Sequence, residues 1–343
     1  MKLLFVGDVM LGRLANRALK VMPAEYPWGN TLDVFRSADA RFCNLECAIS
    51  DRGARWSPAT KAFHFRSDAK NVEVLKRAGI DAVSLANNHI FDFDETALRD
   101  TLDILDRNRI HHAGAGCDAA EAEAPAAFRI GDKTAAFFAF TDNEPGWKAA
   151  EGKPGIHYLP ADPEDRDVKR FRRLVEQARE KKDLVVVSAH WGPNWGREVP
   201  EEHAALAHCL VDSGADVVFG HSAHVFRAVE IYRDRPILYS TGDFMDDYAV
   251  DPIERNDESF LFLVELGEEG ETRVALYPTT IREFQANLAE GERARSIAEK
   301  MQNLCCSWNT ASFWRPGEQR LTLSGTGTGA GTGTGETPKE SYR

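Results

Sequence analysis

Residues 215–224 read A-D-V-V-F-G-H-S-A-H. An apolar run of strand length stops on two imidazoles, His221 and His224, three residues apart. Continuous rather than alternating apolarity marks a strand buried on both faces. Two histidines in the tight turn after such a strand serve packing poorly and a metal ion well.

The same construction recurs along the chain. K-L-L-F-V (2–6) runs into Gly7 and Asp8, and R-F-C-N-L (41–45) into Glu46. D-A-V-S-L-A (81–86) runs into Asn87, Asn88 and His89, and D-L-V-V-V-S-A (183–189) into His190. I-L-Y-S-T (237–241) ends in Gly242 and Asp243. Ligands of α/β sheets bind outside the carboxyl ends of strands. Taken singly, Asp8 reads as a helix cap, Glu46 as an edge residue, Asn88-His89 as a turn and His190 as a satisfied core histidine. Taken together, Asp, Glu, Asn and three His at successive strand ends read as a site for one or two divalent ions such as Zn²⁺, Mn²⁺ or Fe²⁺. The set has too few oxygens for a Ca²⁺ cage and no thiolate for iron–sulfur.

Between the runs lie amphipathic helices. Residues 68–78 place Val72, Leu75 and Ala78 on one face, with Gly79 as a stop. Residues 95–107 do the same with Leu98, Leu102 and Leu105, with Asp94 as the expected N-cap. Hairpins are expected at 127–140 about Gly131-Asp132, at 228–240 about Asp234, and at 260–278 about Gly270. This mixed order predicts a layered α/β or α+β fold. Residues 283–304 read as helix, and Trp308, Phe313 and Trp314 follow as an aromatic patch expected to pack back. The Gly/Thr alternation after it lacks the apolar residues that offset ordering entropy. The expected organisation is a body (1–282), a helix and packing extension (283–322) and a disordered tail (323–343).

Composition removes several classes. The 343 residues carry 42 Lys and Arg against 54 Asp and Glu, a formal charge of −12, and are 43% hydrophobic. An acidic chain of ordinary globular composition argues against nucleic acid and anionic lipid as partners. No apolar run reaches the roughly 18 residues of a membrane span. Gly7 and Asp8 interrupt the first apolar run too early for a signal peptide, so the expected location is the cytoplasm. The six cysteines form no C-x-x-C pair, which excludes a zinc knuckle and a thioredoxin motif; reduced, mostly buried thiols are expected.

Competing motifs are weaker. Gly114-x-Gly116-x-x-Ala119 fits a relaxed dinucleotide fingerprint, but the segment before it is a poor strand. Ser222 is not in G-x-S-x-G. His111, His112, His203 and His208 stand outside the strand-end set.

The series G-D, N-N-H, a lone strand-end H and G-H-x-x-H resembles that of metallophosphoesterases. G-D-V-M-L-G-R, N-L-E, S-L-A-N-N-H-I-F-D, H-W-G, A-D-V-V-F-G-H-S-A-H-V and Y-S-T-G-D-F resemble, in order and spacing, the CapA family of capsule and poly-γ-glutamate synthesis proteins. The resemblance runs from residue 1 to about 250. It implies a metallophosphoesterase-like α/β/β/α sandwich. It makes Asp8 and His224 ligands of a first metal, Glu46 the bridging acid, and Asn88, His190 and His221 ligands of a second. His89 becomes the acid or transition-state stabiliser. Apart from the resemblance, Arg13, five residues after Asp8, is a candidate holder of an anionic group, with a surface ion pair as its other reading. Three positions depart from the pattern: Met10 replaces the phosphoesterase D-x-H histidine, G-H-S-A-H is one residue longer than G-H-x-H, and Asp243 stands where the family has Asn. The expected function is a metal-dependent hydrolase of an anionic small molecule or polymer, acting on a phosphoester or on an amide of a γ-glutamyl or cell-envelope polymer. The alternative is a non-catalytic metal-binding accessory protein of polyglutamate or capsule synthesis. Oligomeric state is left open.

Overall fold

A computed structural model describes residues 1–57, 61–267, 271–308 and 310–325. The first strand, Lys2–Val9, is buried from its second residue onward. Leu3 and Phe5 face one apolar layer while Leu4 and Val6 face another. This is the two-sided burial that its unbroken apolarity predicts.

Lys2–Val9 is central to a ten-stranded sheet, parallel to Ala40–Leu45, which is parallel in turn to Ala82–Ser84. On its other side Glu258–Leu266 and Thr272–Arg282 continue the sheet antiparallel. A six-stranded sheet has Leu184–His190 between the parallel strands Lys133–Thr141 and Val217–His221. The inner faces of the two sheets meet through Phe5, Phe42, Phe137, Val186 and Phe219; the Phe5 and Phe42 rings stack at 4.9 Å. Helices Val72–Ala78 and Asp94–Arg107 cover the outer face of the larger sheet with Leu75, Leu98 and Leu102. Arg166–Arg179 and Glu201–Asp212 cover the smaller one with Phe171, Leu206 and Leu210. The fold is thus an α/β/β/α sandwich. Each large side chain buried in these layers contributes about 1.5–3 kcal/mol.

Several local expectations need correction. Residues 283–304 are not one helix. Glu283 and Phe284 turn the chain through two left-handed residues, and Gln285–Leu288 pairs back onto Thr272–Arg282. The helix is Gly291–Cys306. Ladder bonds to an existing strand outweigh the helical pattern there. The strand Arg320–Gly325 takes in Leu323, Ser324 and Gly325, so the body's sheet extends past the boundary at 323. Leu323 is buried opposite Val274. The rest of the Gly/Thr stretch lies outside the described residues. Trp308 packs on Tyr239, but Phe313 is exposed. Asp94 is the first residue of its helix rather than a side-chain cap. The three hairpins form, with residues 268–270 of the last outside the described residues. All six cysteines are free, but only Cys43, Cys47 and Cys305 are fully buried.

The strand end at Gly7 is clamped. A Cβ there would lie 1.7 Å from the Gly242 carbonyl oxygen, which accepts the Asp8 N–H at 2.9 Å. Gly7→Ala therefore forces these backbones apart and should cost about 1–3 kcal/mol or more. Urea unfolding checks this; an unchanged midpoint would show that the clamp is soft.

Candidate metal centre

Parallel register carries the strand-end residues to one edge of the sandwich. Asp8 lies opposite Asn44 on one side and Asp243 on the other. His190 and His221 are register partners in the second sheet. The His221–His224 turn uses left-handed backbone at Ser222 (φ 99°) and His224 (φ 56°). Non-glycine residues held so cost on the order of 1–3 kcal/mol each, and such strain gathers at functional sites.

The side chains converge in two groups. Ligand atoms of Asp8, His190 and His221 lie within 4.8 Å of one another, as do those of Asp8, Glu46, His224 and Asp243. Asn88 adjoins the first group, its Oδ1 at 3.2 Å from His190 Nε2. The residue common to both groups is Asp8. Glu46, to which the resemblance assigns the bridge, lies in the second group alone. Met10 is buried in the apolar core. Asp243, which the sequence reading left among the departures, takes a place in the second group. Its signal was present: it is another Gly-Asp pair at the end of an apolar run.

Neighbouring groups orient these ligands. Asn87 donates to Asn44, and Asn44 donates to Asp8 Oδ1 at 2.7 Å. Ser188 Oγ meets His221 Nε2 at 2.7 Å, which leaves His221 Nδ1 directed at His190 and Asp8. Asp243 Oδ1 meets His224 Nδ1 at 2.8 Å. Fixing the far side of an imidazole selects the nitrogen that can ligate.

His89 belongs to neither group. Its Nδ1 lies 2.6 Å from Asp92 Oδ2, its Nε2 lies 3.8 Å from Glu46 Oε1, and Phe65 stacks on its ring at 3.9 Å. Lys61 Nζ reaches the other Asp92 oxygen at 3.0 Å and donates to the Asn88 carbonyl. Sequence reading missed Asp92, although its i+3 spacing from His89 was legible. It also missed Lys61 and Phe65, which arrive from a segment without a strand-end signature. Arg13 lies at the rim, its guanidinium over the Phe63 and Phe65 rings and its Nε 3.4 Å from Asp247. The ion pair with Asp247 is the polar contact the structure shows for Arg13.

The donor set fits divalent cations. Among the described residues, Asp8 Oδ2, both Glu46 oxygens, Asp243 Oδ2 and Asp246 Oδ2 are buried without a hydrogen-bond partner. An uncompensated buried charge costs several kcal/mol, and a cation removes that cost. Burial raises the carboxyls of Glu46, Asp243 and Asp246, and their negative neighbours raise them further. Burial also raises Asp8, against the pull of His224. Burial lowers His190 and His224, and pulls His221 down to about 3, so these imidazoles are neutral and free to ligate.

The molecule is thus a two-sheet α/β/β/α sandwich with two adjoining acid–imidazole groups at its carboxyl edge. Residues 2–248 match the family described as bacterial capsule synthesis protein PGA_cap, and the chain belongs to that family. It is 30% identical over 281 residues to the PGA biosynthesis protein CapA of Bacillus subtilis (strain 168), covering 81% of this chain and 71% of that one. It is 36% identical over 248 residues to a probable polyglutamine synthesis accessory protein of Mycobacterium tuberculosis (strain CDC 1551 / Oshkosh), covering 69% and 64%. Among solved structures it is similar, at a TM-score of 0.47 and 14% identity, to a putative 5'-nucleotidase from Staphylococcus aureus in complex with alpha-ketoglutarate. That similarity covers 91% of this chain and 59% of the other.

These shifts fix the sign of a pH effect. A carboxyl raised on folding favours the protonated form, so its contribution to stability is lost as pH climbs toward the folded value. The buried histidines act oppositely, but only below the ordinary histidine range of about 6.5. Above that range the raised carboxyls set the sign. Chelator-treated protein should then lose melting temperature with rising pH, while Mn²⁺-loaded protein should hold it. Parallel curves would show that no cation engages these carboxylates.

Proposed function

We propose that this chain is a metal-dependent hydrolase of capsule or polyglutamate metabolism. Its substrate would be a phosphoester, or an amide of a γ-glutamyl or cell-envelope polymer. The carrying observation is that Asp8 is common to two ligand groups while His89, beside them, is left out of both. Asp8, Asn88, His190 and His221 would hold one divalent ion, and Asp8, Glu46, His224 and Asp243 another. Ions there would supply Lewis-acid polarisation and lower the pKa of an attacking water.

The chain's own residues supply the proton chemistry. Asp92 accepts from His89 Nδ1–H and so keeps Nε2 turned toward Glu46. Burial first, then the charge of Lys61, keeps the free ring neutral. An anionic substrate favours the charged ring, so the proton arrives with the substrate. Nε2 then passes it to the leaving oxygen or nitrogen. Arg13 steadies the substrate's anionic group at the rim.

A second reading has its own support. The mycobacterial relative is named an accessory protein, and Met10 removes one ligand of the phosphoesterase pattern. A metal-binding accessory role would leave His89 idle. His89→Asn decides between the readings. It should retain its metal yet lower kcat by about 10²–10⁴, the range for a lost general acid or base. Mn²⁺-loaded wild type and variant would be compared on phosphomonoesters, phosphodiesters and γ-glutamyl amides. Intact metal binding without turnover of any of these in the wild type would favour the accessory role.

A further inference from the structure

An unbroken series of ring contacts crosses the mouth of the centre. Phe63 packs on Phe65 at 6.5 Å, Phe65 on Tyr248 at 5.7 Å, Tyr248 on His224 at 5.1 Å, and His224 on Trp195 at 5.8 Å. Phe65 and His224 are buried and Tyr248 is half-buried, but the two ends are open. Phe63 is 59% exposed and Trp195 is 45% exposed.

The exposure of Trp195 is built into the fold. The loop that displays it is tied down on both sides by charged groups set beneath it. Arg227, only 1% exposed, donates from Nε to the Gly196 carbonyl at 2.9 Å and from Nη2 to the Pro193 carbonyl at 3.3 Å. Asp142 accepts the Gly192 N–H at 3.0 Å and is itself held by His203 at 2.9 Å. Arg197, two residues after Trp195, is itself anchored through the Phe226 and Glu254 carbonyls. Placing guanidinium and carboxylate groups in the interior is costly unless each is satisfied. Here they are spent on a surface loop whose outward feature is one indole ring beside a candidate metal-ligating histidine.

A rigid exposed ring beside a reactive centre binds a partner with little ordering cost. Tryptophan offers a flat apolar face that complements another ring face, whether the C–H face of a sugar or a heteroaromatic plane. An open γ-glutamyl chain has no such face. It is also polyanionic, and this chain carries a formal charge of −12. We propose that Trp195 is a specificity-determining stacking site for a ring carried next to the substrate's anionic group, that ring being a sugar or a heterocycle. This deepens the reading of the centre as a substrate site and rests on it.

Calorimetric titration of the Mn²⁺-loaded protein tests it without requiring turnover. The ligands would be glucose 1-phosphate, adenosine monophosphate, glycerol 3-phosphate and γ-glutamylglutamate. At least one ring-bearing ligand should bind more tightly than both open-chain ligands, and the two ring arms tell a sugar from a heterocycle. Trp195→Ala should weaken that ligand about five- to tenfold, as expected for losing one ring stack. It should leave glycerol 3-phosphate within about twofold, and Trp195→Phe should restore most of the affinity. Equal effects on all ligands, no effect on any, no binding of ring ligands, or tighter binding of an open-chain ligand would each overturn the inference. Ring-selective binding without turnover would instead overturn the hydrolase reading and leave the stacking site standing. Turnover without ring selectivity would do the reverse.

Discussion

Asp8 brings a carboxylate to a point where Glu46, Asp243 and Asp246 are also buried. Two like charges about 4 Å apart repel by about 4 kcal/mol even at an effective dielectric near 20. A few such pairs rival the 5–15 kcal/mol that holds a typical domain together. The carboxyls must therefore take up protons or surround a cation. The imidazoles of His190, His221 and His224 are held neutral by burial, so they cannot cancel the charge. They can only share a cation with the acids. This constraint makes the carboxyl edge of the sandwich a candidate place for metal rather than a set of internal ion pairs.

The rest of the fold holds that edge rigid. Two-sided apolar burial fixes the strands, and parallel register brings Asp8 beside Asp243 and His190 beside His221. The close approach of Gly7 to Gly242 and the strained turn through Ser222 and His224 bring backbone up to the same point. Around it a second set of residues acts on the candidate ligands or on His89: Asn44 and Asn87 through hydrogen bonds from their side-chain amides, Ser188 through a hydroxyl, Asp92 and Lys61 through charge.

Much of this was legible because strand ends are local. An apolar run followed by a polar residue states both the strand and the side chain at its end. That is why Asp8, Glu46, Asn88, His190, His221 and His224 could be named from spacing and resemblance. What escaped was tertiary. Phe65 reaches His89, and Lys61 reaches Asp92 beside it, from a segment with no pattern of its own. The role of Asp8 at the junction of two groups depends on how two sheets face each other. The strand Gln285–Leu288 escaped for a different reason: its helical periodicity lost to a ladder offered by Thr272–Arg282, the strand just before it in the chain.

The central claim is that Asp8 joins two cation sites. Elemental analysis of protein purified without chelator, for wild type and Asp8→Asn, tests it most directly. The account predicts about two divalent ions per wild-type chain and loss of both in the variant, with the fold retained by circular dichroism. A metal-free wild type that also ignores added Mn²⁺ or Zn²⁺, or a folded Asp8→Asn that keeps its full metal content, would contradict it.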